Sequence, residues 1–314
     1  MNIVKDSTAP FFKKEYERSL HKIWKSRVNG YWTTEARGAD GESYNLKIDM
    51  DTILLYLKLY ELTLNKKYLE EGCKFVRKRG IDYNEGKVWK FATKINSPAL
   101  ETMPPDADTT VYSLLLLSYQ QNKKSENLSL QPFETIRAKS GITLFFGPRE
   151  SDRVDPIINC GFAILQIKLK KRDSLFYHIQ SYLNQLIDEI DKGKQLSYWY
   201  TSNCFVYYRL AKIIALDTDY FSETMVEKII TRLMGEEPKS SLDIAWVCSS
   251  LFLLGCKQKA KEIAKKIVMN YDRKNAGWNF DTFYIQNNPK FYYGSEYITS
   301  IYCLEALAQI KNYN

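Results

Sequence analysis

Apolar positions recur along this chain with the helical period almost from end to end, and the helices they predict are of two alternating kinds. One kind is apolar around most of its circumference. It occupies 49–63 (DMDTILLYLKLYELT), 106–119 (DADTTVYSLLLLSY), 155–169 (DPIINCGFAILQIKL), 199–214 (WYTSNCFVYYRLAKII), 241–255 (SLDIAWVCSSLFLLG) and 294–309 (GSEYITSIYCLEALAQ). The other kind is amphipathic and rich in Lys and Glu, at about 10–28, 66–80, 128–140, 174–190, 221–234 and 257–271, with the stretch at 128–140 weakly patterned. A helix apolar all round has to be enclosed, whereas one with a single apolar stripe covers something else.

Each apolar helix with an amphipathic neighbour makes one hairpin, and the starts recur roughly every 50 residues, the period of a helix-pair repeat. Six hairpins stack either as an open solenoid or as a closed ring. A solenoid needs polar end-capping repeats, and the last helix, YITSIYCLEALAQI, is too apolar to be one. The expectation is therefore all-α: a single (α/α)6 barrel over 1–314, one domain, with apolar helices inside and amphipathic helices outside.

Composition narrows the function. With 314 residues, 45% of them hydrophobic, the chain can bury a large core. The formal charge of +8 is scattered along helix faces without a basic block, so nucleic acid is not an expected partner, and what remains is a weak attraction to anionic lipid or a phosphorylated substrate. No apolar run has the length of a signal peptide or of a membrane span, which predicts a cytoplasmic protein. The loop ITLFFG at 142–147, followed by Arg149 and Arg153, reads first as packing, then as a cavity cover or a peripheral membrane contact. Six cysteines without a CxxC pair read as buried thiols, and two histidines, His21 and His178, both on amphipathic stretches, argue against a zinc site.

Two patterns recur at the apolar helices. The preceding loops carry a glycine followed by tryptophan (NGYW at 29–32, EGKVW at 85–89, NAGWNF at 275–280), read first as wall packing. The helix starts are polar: Asp49 and Asp51, Asp106 and Asp108, Asp155 and Asn159, Tyr198 and Asn203, Asp243, Ser295 and Glu296. If the apolar helices run the same way, these groups gather at one mouth of the ring, most of them as caps.

The stretch PPDADTTVYSLLLL, 104–117, is first a helix start, because Asp and Thr accept from the free N–H groups of a first turn and proline stops what precedes. An Asp at the start of a buried helix can also serve as a strong acid that keeps its proton. Holding that proton at pH 7 costs about 4 kcal/mol, which burial supplies, and the helix N-terminus favours the anion left after transfer.

DADTT at 106–110 resembles the DxDD/DxDTT motif of class II terpene cyclases, and the glycine–tryptophan loops resemble degenerate forms of that family's QW motifs. The resemblance implies a terpenoid-cyclase/prenyltransferase-like toroid with Asp108 as general acid and Asp106 and Thr109 in support. The implied activity is that of an isomerase, which protonates the terminal alkene of a linear isoprenoid and runs a carbocation cascade. Family members usually pair two helical barrels. One barrel alone resembles the single-domain cyclases of prenylated aromatic, meroterpenoid-type substrates. Protonation needs no metal, and Mg would enter only with a diphosphate substrate. Trp199, Tyr200, Trp246, Phe280, Tyr293 and Tyr297 are candidates for lining the cavity and facing the cation, and Asn159 or Asp155 for holding the spare oxygen of Asp108. Class I chemistry lacks its DDxxD, since Asp188, Glu189 and Asp191 lie on an amphipathic stretch. The alternatives are an (α/α)6 glycoside hydrolase pairing Asp108 with Asp51 or Asp155, and a lipid-binding barrel without catalysis.

Overall fold

The computed structural model describes residues 9–94, 96, 100, 102–120, 128–147, 153–190, 194–287 and 290–311. Arg149 and Asp191 lie outside these residues. Among the described residues are twelve helices and seven strands. The apolar helices are α2 (Asp49–Thr63), α4 (Ala107–Ser118), α6 (Pro156–Lys168), α8 (Asn203–Leu216), α10 (Ser241–Leu253) and α12 (Glu296–Lys311). They touch in sequence order, each packing on the next, and α12 packs back on α2, so the contacts form a closed cycle. Amphipathic helices lie against this cycle: α1 (Ala9–Lys25) on α12, α3 (Lys66–Arg77) on α2 and α4, α7 (Ser174–Glu189) on α6, α9 (Glu223–Met234) on α8 and α10, and α11 (Lys257–Met269) on α10 and α12. The weak stretch at 128–140 departs from expectation. It holds only the one-turn α5 (Gln131–Glu134), which packs on the strand Gly86–Lys90, and then turns into isolated bridges.

The chain is not purely α-helical. Strands β1 (Thr33–Gly38), β2 (Ser43–Lys47), β7 (Lys290–Gly294) and β6 (Thr282–Asn287) form one sheet in the order β2-β1-β7-β6; β3 (Ile81–Tyr83), β4 (Gly86–Lys90) and β5 (Pro105–Asp106) form a second. They occupy the connections that lead into the apolar helices. Those connections are long and partly buried, so their backbone groups must find partners, and antiparallel pairing provides them. The register sets Glu35 opposite Gly294 and Ala36 opposite Tyr293. Gly294 is required there, because a Cβ would lie 2.1 Å from the carbonyl oxygen of Asp281, next to the irregular pairing of Thr282 and Tyr284.

The glycine–tryptophan loops have one shared task. Trp32, Trp89 and Trp278 are fully buried, and their indole N–H groups donate to the carbonyls of Ile23, Val76 and Ile267, in the last turns of α1, α3 and α11. Each indole thus satisfies one of the carbonyls a helix leaves free at its C-terminus, and pins the following loop to the preceding outer helix. All six cysteines are free, five of them buried, and no helix among the described residues is long and apolar enough to cross a membrane.

Candidate active site

Paired in β5 with Trp89 of β4, Asp106 is in extended backbone, from which it caps α4: its Oδ1 accepts from Thr109 N at 2.7 Å and its Oδ2 from the Thr109 hydroxyl at 2.9 Å. Thr110 donates to the Asp106 carbonyl at 2.7 Å and accepts from Trp89 N at 3.0 Å, which ties the turn to β4. With cap and flank committed, Asp108 is the carboxyl of this turn left to face inward.

Asp108 is 2% exposed. Its Oδ2 accepts a hydrogen bond from the Tyr200 hydroxyl, and no protein group is hydrogen-bonded to its buried Oδ1. Burial pushes the carboxyl's pKa upward. The Arg209 guanidinium and the Tyr200 donor pull it back, and Asp155 adds a smaller rise. Asp106 is pushed up to about 7, chiefly by burial and also by Asp108, against the pull of the Thr109 donors. A second buried carboxyl stands on the first turn of α2. Asp51 Oδ2 accepts from Thr34 of β1 and, at 3.3 Å, from the Tyr284 hydroxyl of β6, while its Oδ1 has no partner. Burial raises it to about 7, with Asp108 adding to the rise.

Asp106 and Asp108 open into a cavity of about 360 Å³. Its wall is apolar and aromatic: Met50, Phe91, Leu100, Met103, Leu144, Phe145 and Ile158, with Tyr198, Trp199, Tyr200, Tyr284 and Tyr293. The remaining polar contributions come from Thr102 and Gln286. First turns of α2, α4 and α6 line it, so the starts of these three apolar helices share one cavity. Leu144 and Phe145 come from the ITLFFG loop, which packs as wall: Ala107 N donates to the Leu144 carbonyl at 2.6 Å and Phe146 N to that of Pro105 at 3.0 Å.

Several sequence candidates sit elsewhere. Asn159 does not hold Asp108; it accepts from Ile142 N at 2.8 Å and donates to the Ile142 carbonyl at 3.0 Å, fixing that loop. Asp155 caps α6 and accepts from Ser197 and from Tyr198 N, which presents 198–200 to the cavity. Both amide and carboxyl are consumed by local backbone, as residues at helix starts usually are. The group on Asp108 is instead Tyr200, expected only as cavity lining. Trp199, Tyr200 and Tyr293 do line the cavity; Trp246, Phe280 and Tyr297 do not. Trp246 is buried against Phe205, with ring centroids 4.6 Å apart. Phe280 lies under the Arg37 guanidinium, and Tyr297 faces Lys22 of α1. Aromatic residues near a helix start have several faces to pack on, and the pattern did not say which.

At the opposite end, last turns of the apolar helices surround a second cavity of about 190 Å³. Lys58 donates to Glu305 at 2.8 Å and to Tyr208 at 2.7 Å; Lys212 lies 3.3 Å from Glu305 and 3.7 Å from Glu61, and Lys168 3.7 Å from Glu61. The lysines hold both glutamates below the usual carboxylate range despite burial. Arg209, hydrogen-bonded to Tyr112, stands between this network and Asp108. Sequence reasoning missed Arg209 and Lys58, although a lone charge inside an otherwise apolar helix is itself a signal, since it needs a buried partner. Among the described residues no group of three or more His, Cys, Asp or Glu is placed to hold a metal ion.

No family model and no curated protein matches this sequence. Solved structures do. The type II terpene cyclase MstE from Scytonema, in an arginine-to-alanine variant complexed with its substrate geranylgeranyl dihydroxybenzoate, superposes with a TM-score of 0.71 over 97% of this chain and 99% of its own, at 14% identity. The chain has the fold of a type II terpene cyclase. An ent-copalyl diphosphate synthase from Streptomyces platensis matches with a TM-score of 0.61 at 12% identity, over 84% of this chain and 50% of that one. The fold is not confined to cyclases: an unsaturated glucuronyl hydrolase specific for heparin matches with a TM-score of 0.60 over 97% of this chain and 98% of its own, at 12% identity.

Proposed function

We propose that this chain is a single-domain class II terpene cyclase, an (α/α)6 barrel whose general acid is Asp108. The observation that carries the reading is the state of that carboxyl: buried on an inner helix, one oxygen held by Tyr200, the other free of any protein partner beside an aromatic, apolar cavity. A carboxyl in such surroundings keeps its proton on Oδ1, and an alkene is the kind of weak acceptor an apolar wall admits. The proton passes from Oδ1 to the CH carbon of the terminal alkene, the π electrons form the new C–H bond, and a tertiary cation remains on the dimethyl-bearing carbon beside the carboxylate. Tyr200 and Arg209 stabilise that carboxylate at the moment it forms, so the groups that lower its proton affinity are also the ones that make transfer feasible. Successive alkenes then attack the cation, and the faces of Trp199, Tyr284, Tyr293, Phe91 and Phe145 stabilise the moving charge without adding to it.

The substrate class is a linear isoprenoid on a prenylated aromatic or on a diphosphate. A cavity of about 360 Å³ falls within the roughly 300–1,000 Å³ of small-molecule sites. No step of the protonation uses a metal; Mg enters only to bind a diphosphate head group. The setting is cytoplasmic, with contact to a membrane surface for collecting a greasy substrate. A hydrolase built on this fold needs donors and acceptors for sugar hydroxyls; of the wall's tyrosines, Tyr200, Tyr284 and Tyr293 already donate to Asp108, Asp51 and Gln286, and much of the remaining wall is apolar.

Incubation of wild-type protein and Asp108→Asn with farnesyl and geranylgeranyl diphosphates and prenylated hydroxybenzoates tests the reading. A cyclised isomer of unchanged mass is expected from wild type, reduced at least about 10³-fold in the variant. Wild type that binds these molecules without converting them would leave a lipid-binding barrel, and a variant as active as wild type would remove Asp108 from the chemistry.

A further inference from the structure

A cyclisation that starts by protonation must end by losing a proton, and the acid cannot serve as its own acceptor unless the final cation returns to it. We infer that Tyr284, hydrogen-bonded to the buried Asp51, takes the terminating proton. The inference rests on the reading of Asp108 as the acid.

The geometry is that of two matched pairs. Tyr200 donates to Asp108 on α4, and Tyr284 donates to Asp51 on α2, the inner helix packed beside it. The two tyrosines are backbone neighbours across an isolated bridge, their rings 6.4 Å apart, and both line the cavity. Asp51 is absent from the cavity wall, buried behind Tyr284 and Thr34, and its Oδ1 has no partner. Tyr284 is held in place by its stack on Tyr293, centroids 5.0 Å apart, and by the edge contact with Phe91 at 5.2 Å. Its hydroxyl therefore has one fixed acceptor behind it, and the ring presents the oxygen beside the cavity.

The step balances. A C–H bond next to the cation breaks, its electron pair becomes the product alkene, and the proton goes to the Tyr284 oxygen while the tyrosine's own proton passes to Asp51 Oδ2. Tyr284 ends unchanged, and Asp51 ends neutral. Raised to about 7, Asp51 takes part in the molecules where it is the carboxylate, held by its two hydroxyl donors, a population that grows as pH rises through 7. Once Asp108 has given up its proton, its new charge raises the proton affinity of Asp51, because the two carboxyls repel. The acid step thus readies the base for the end of the cascade. On this account Tyr284 is a catalytic residue, and Asp51 acts through it.

The test is product analysis of Tyr284→Phe and Asp51→Asn in H2O and D2O, with thermal unfolding to verify that each variant is folded. Both variants are expected to consume substrate and to incorporate deuterium at the carbon protonated by Asp108. The native alkene should fall at least about tenfold relative to new alkene isomers and water adducts. Tyr284→Phe removes one oxygen and keeps the ring packing, so it carries the test if Asp51→Asn fails to fold. A folded Tyr284→Phe with the wild-type product profile overturns the inference, and so does a uniform loss of consumption and product with the profile unchanged. Wild type that cyclises none of the substrates fells the reading of Asp108 first and takes this inference with it; an active wild type silenced by Asp108→Asn, with Tyr284→Phe unaltered, fells this inference alone.

Discussion

Replacing Tyr200 by Phe takes a single hydroxyl from Asp108 Oδ2 and leaves the ring on Phe205 and Phe283, at 5.1 and 5.2 Å. A hydrogen bond to an ionised group contributes about 1.5–3 kcal/mol, so the Asp108 carboxylate loses about that much stabilisation relative to the neutral acid. Loss of the Tyr200 donor, which pulls the carboxyl's pKa down, therefore lets it rise further in the variant. The active form is the protonated one, so kcat/KM falls as pH climbs through that pKa, and the alkaline limb moves to higher pH in the variant. The acid is also weaker in the transition state. With about half of the lost stabilisation felt there, the plateau drops roughly 3- to 15-fold. The assay is the pH dependence of initial cyclisation rates for wild type and variant on one substrate. The signature is a lower plateau together with an upward-shifted limb. A plateau at the wild-type level, or a limb that stays or moves down, would refute the assignment of Tyr200 as the donor that sets this acid's strength.

Stability has its own pH dependence. Asp51 and Asp106 sit at about 7 in the folded chain against 3.8 unfolded, so the stability linked to their protonated forms is fully present below about 4 and is lost as pH rises through 7. Each contributes up to about 4 kcal/mol over that range. Glu61 and Glu305, held low, act the other way below their unfolded value of 4.5. Tm should therefore be higher at pH 5 than at pH 8, and a scan that finds the reverse counts against the buried carboxyls. Lys58→Met leaves Glu305 buried with one cation fewer and should cost about 3 kcal/mol in urea unfolding, part of it recovered in the Lys58→Met/Glu305→Leu double variant. Excess chelator should leave turnover of a prenylated hydroxybenzoate unchanged; inhibition reversed by Mg would contradict a protonation that needs no metal.

The helical layout was legible because apolarity on every side is a local property. α2 spans the predicted 49–63, and α4, α6, α10 and α12 fall within a few residues of expectation. α8 begins at Asn203 rather than 199, since Ser197 and Tyr200 are drawn off to Asp155 and Asp108. The strands were legible too, in TFYIQNNPKFYYG with its alternation around a turn, but that signal is lost when a connection is scored with the helical period. Asp108 could be singled out by the chemistry of its own turn. Its partner could not: Tyr200 lies 92 residues away, and Asn159 is a polar residue at a similar helix position that bonds its own neighbourhood instead.

The sheet β2-β1-β7-β6 has a further meaning for how this chain assembles. Most contacts of the cycle join consecutive helices, whereas β1 with β7 and α12 with α2 join the first quarter of the chain to the last, as in the Ser295 to Thr33 hydrogen bond across 262 positions. Closing so large a loop is entropically slow and is rewarded only once the neighbours are in place, so this seam is the last part of the ring to form. Asp51 has Thr34 17 residues away on its own side of the seam, but Tyr284, 233 residues along on the other side, reaches it only at that moment. A chain stalled before closure holds most of its helices and an unfinished cavity, which makes circular order, rather than helix content, the property that decides when this protein is native.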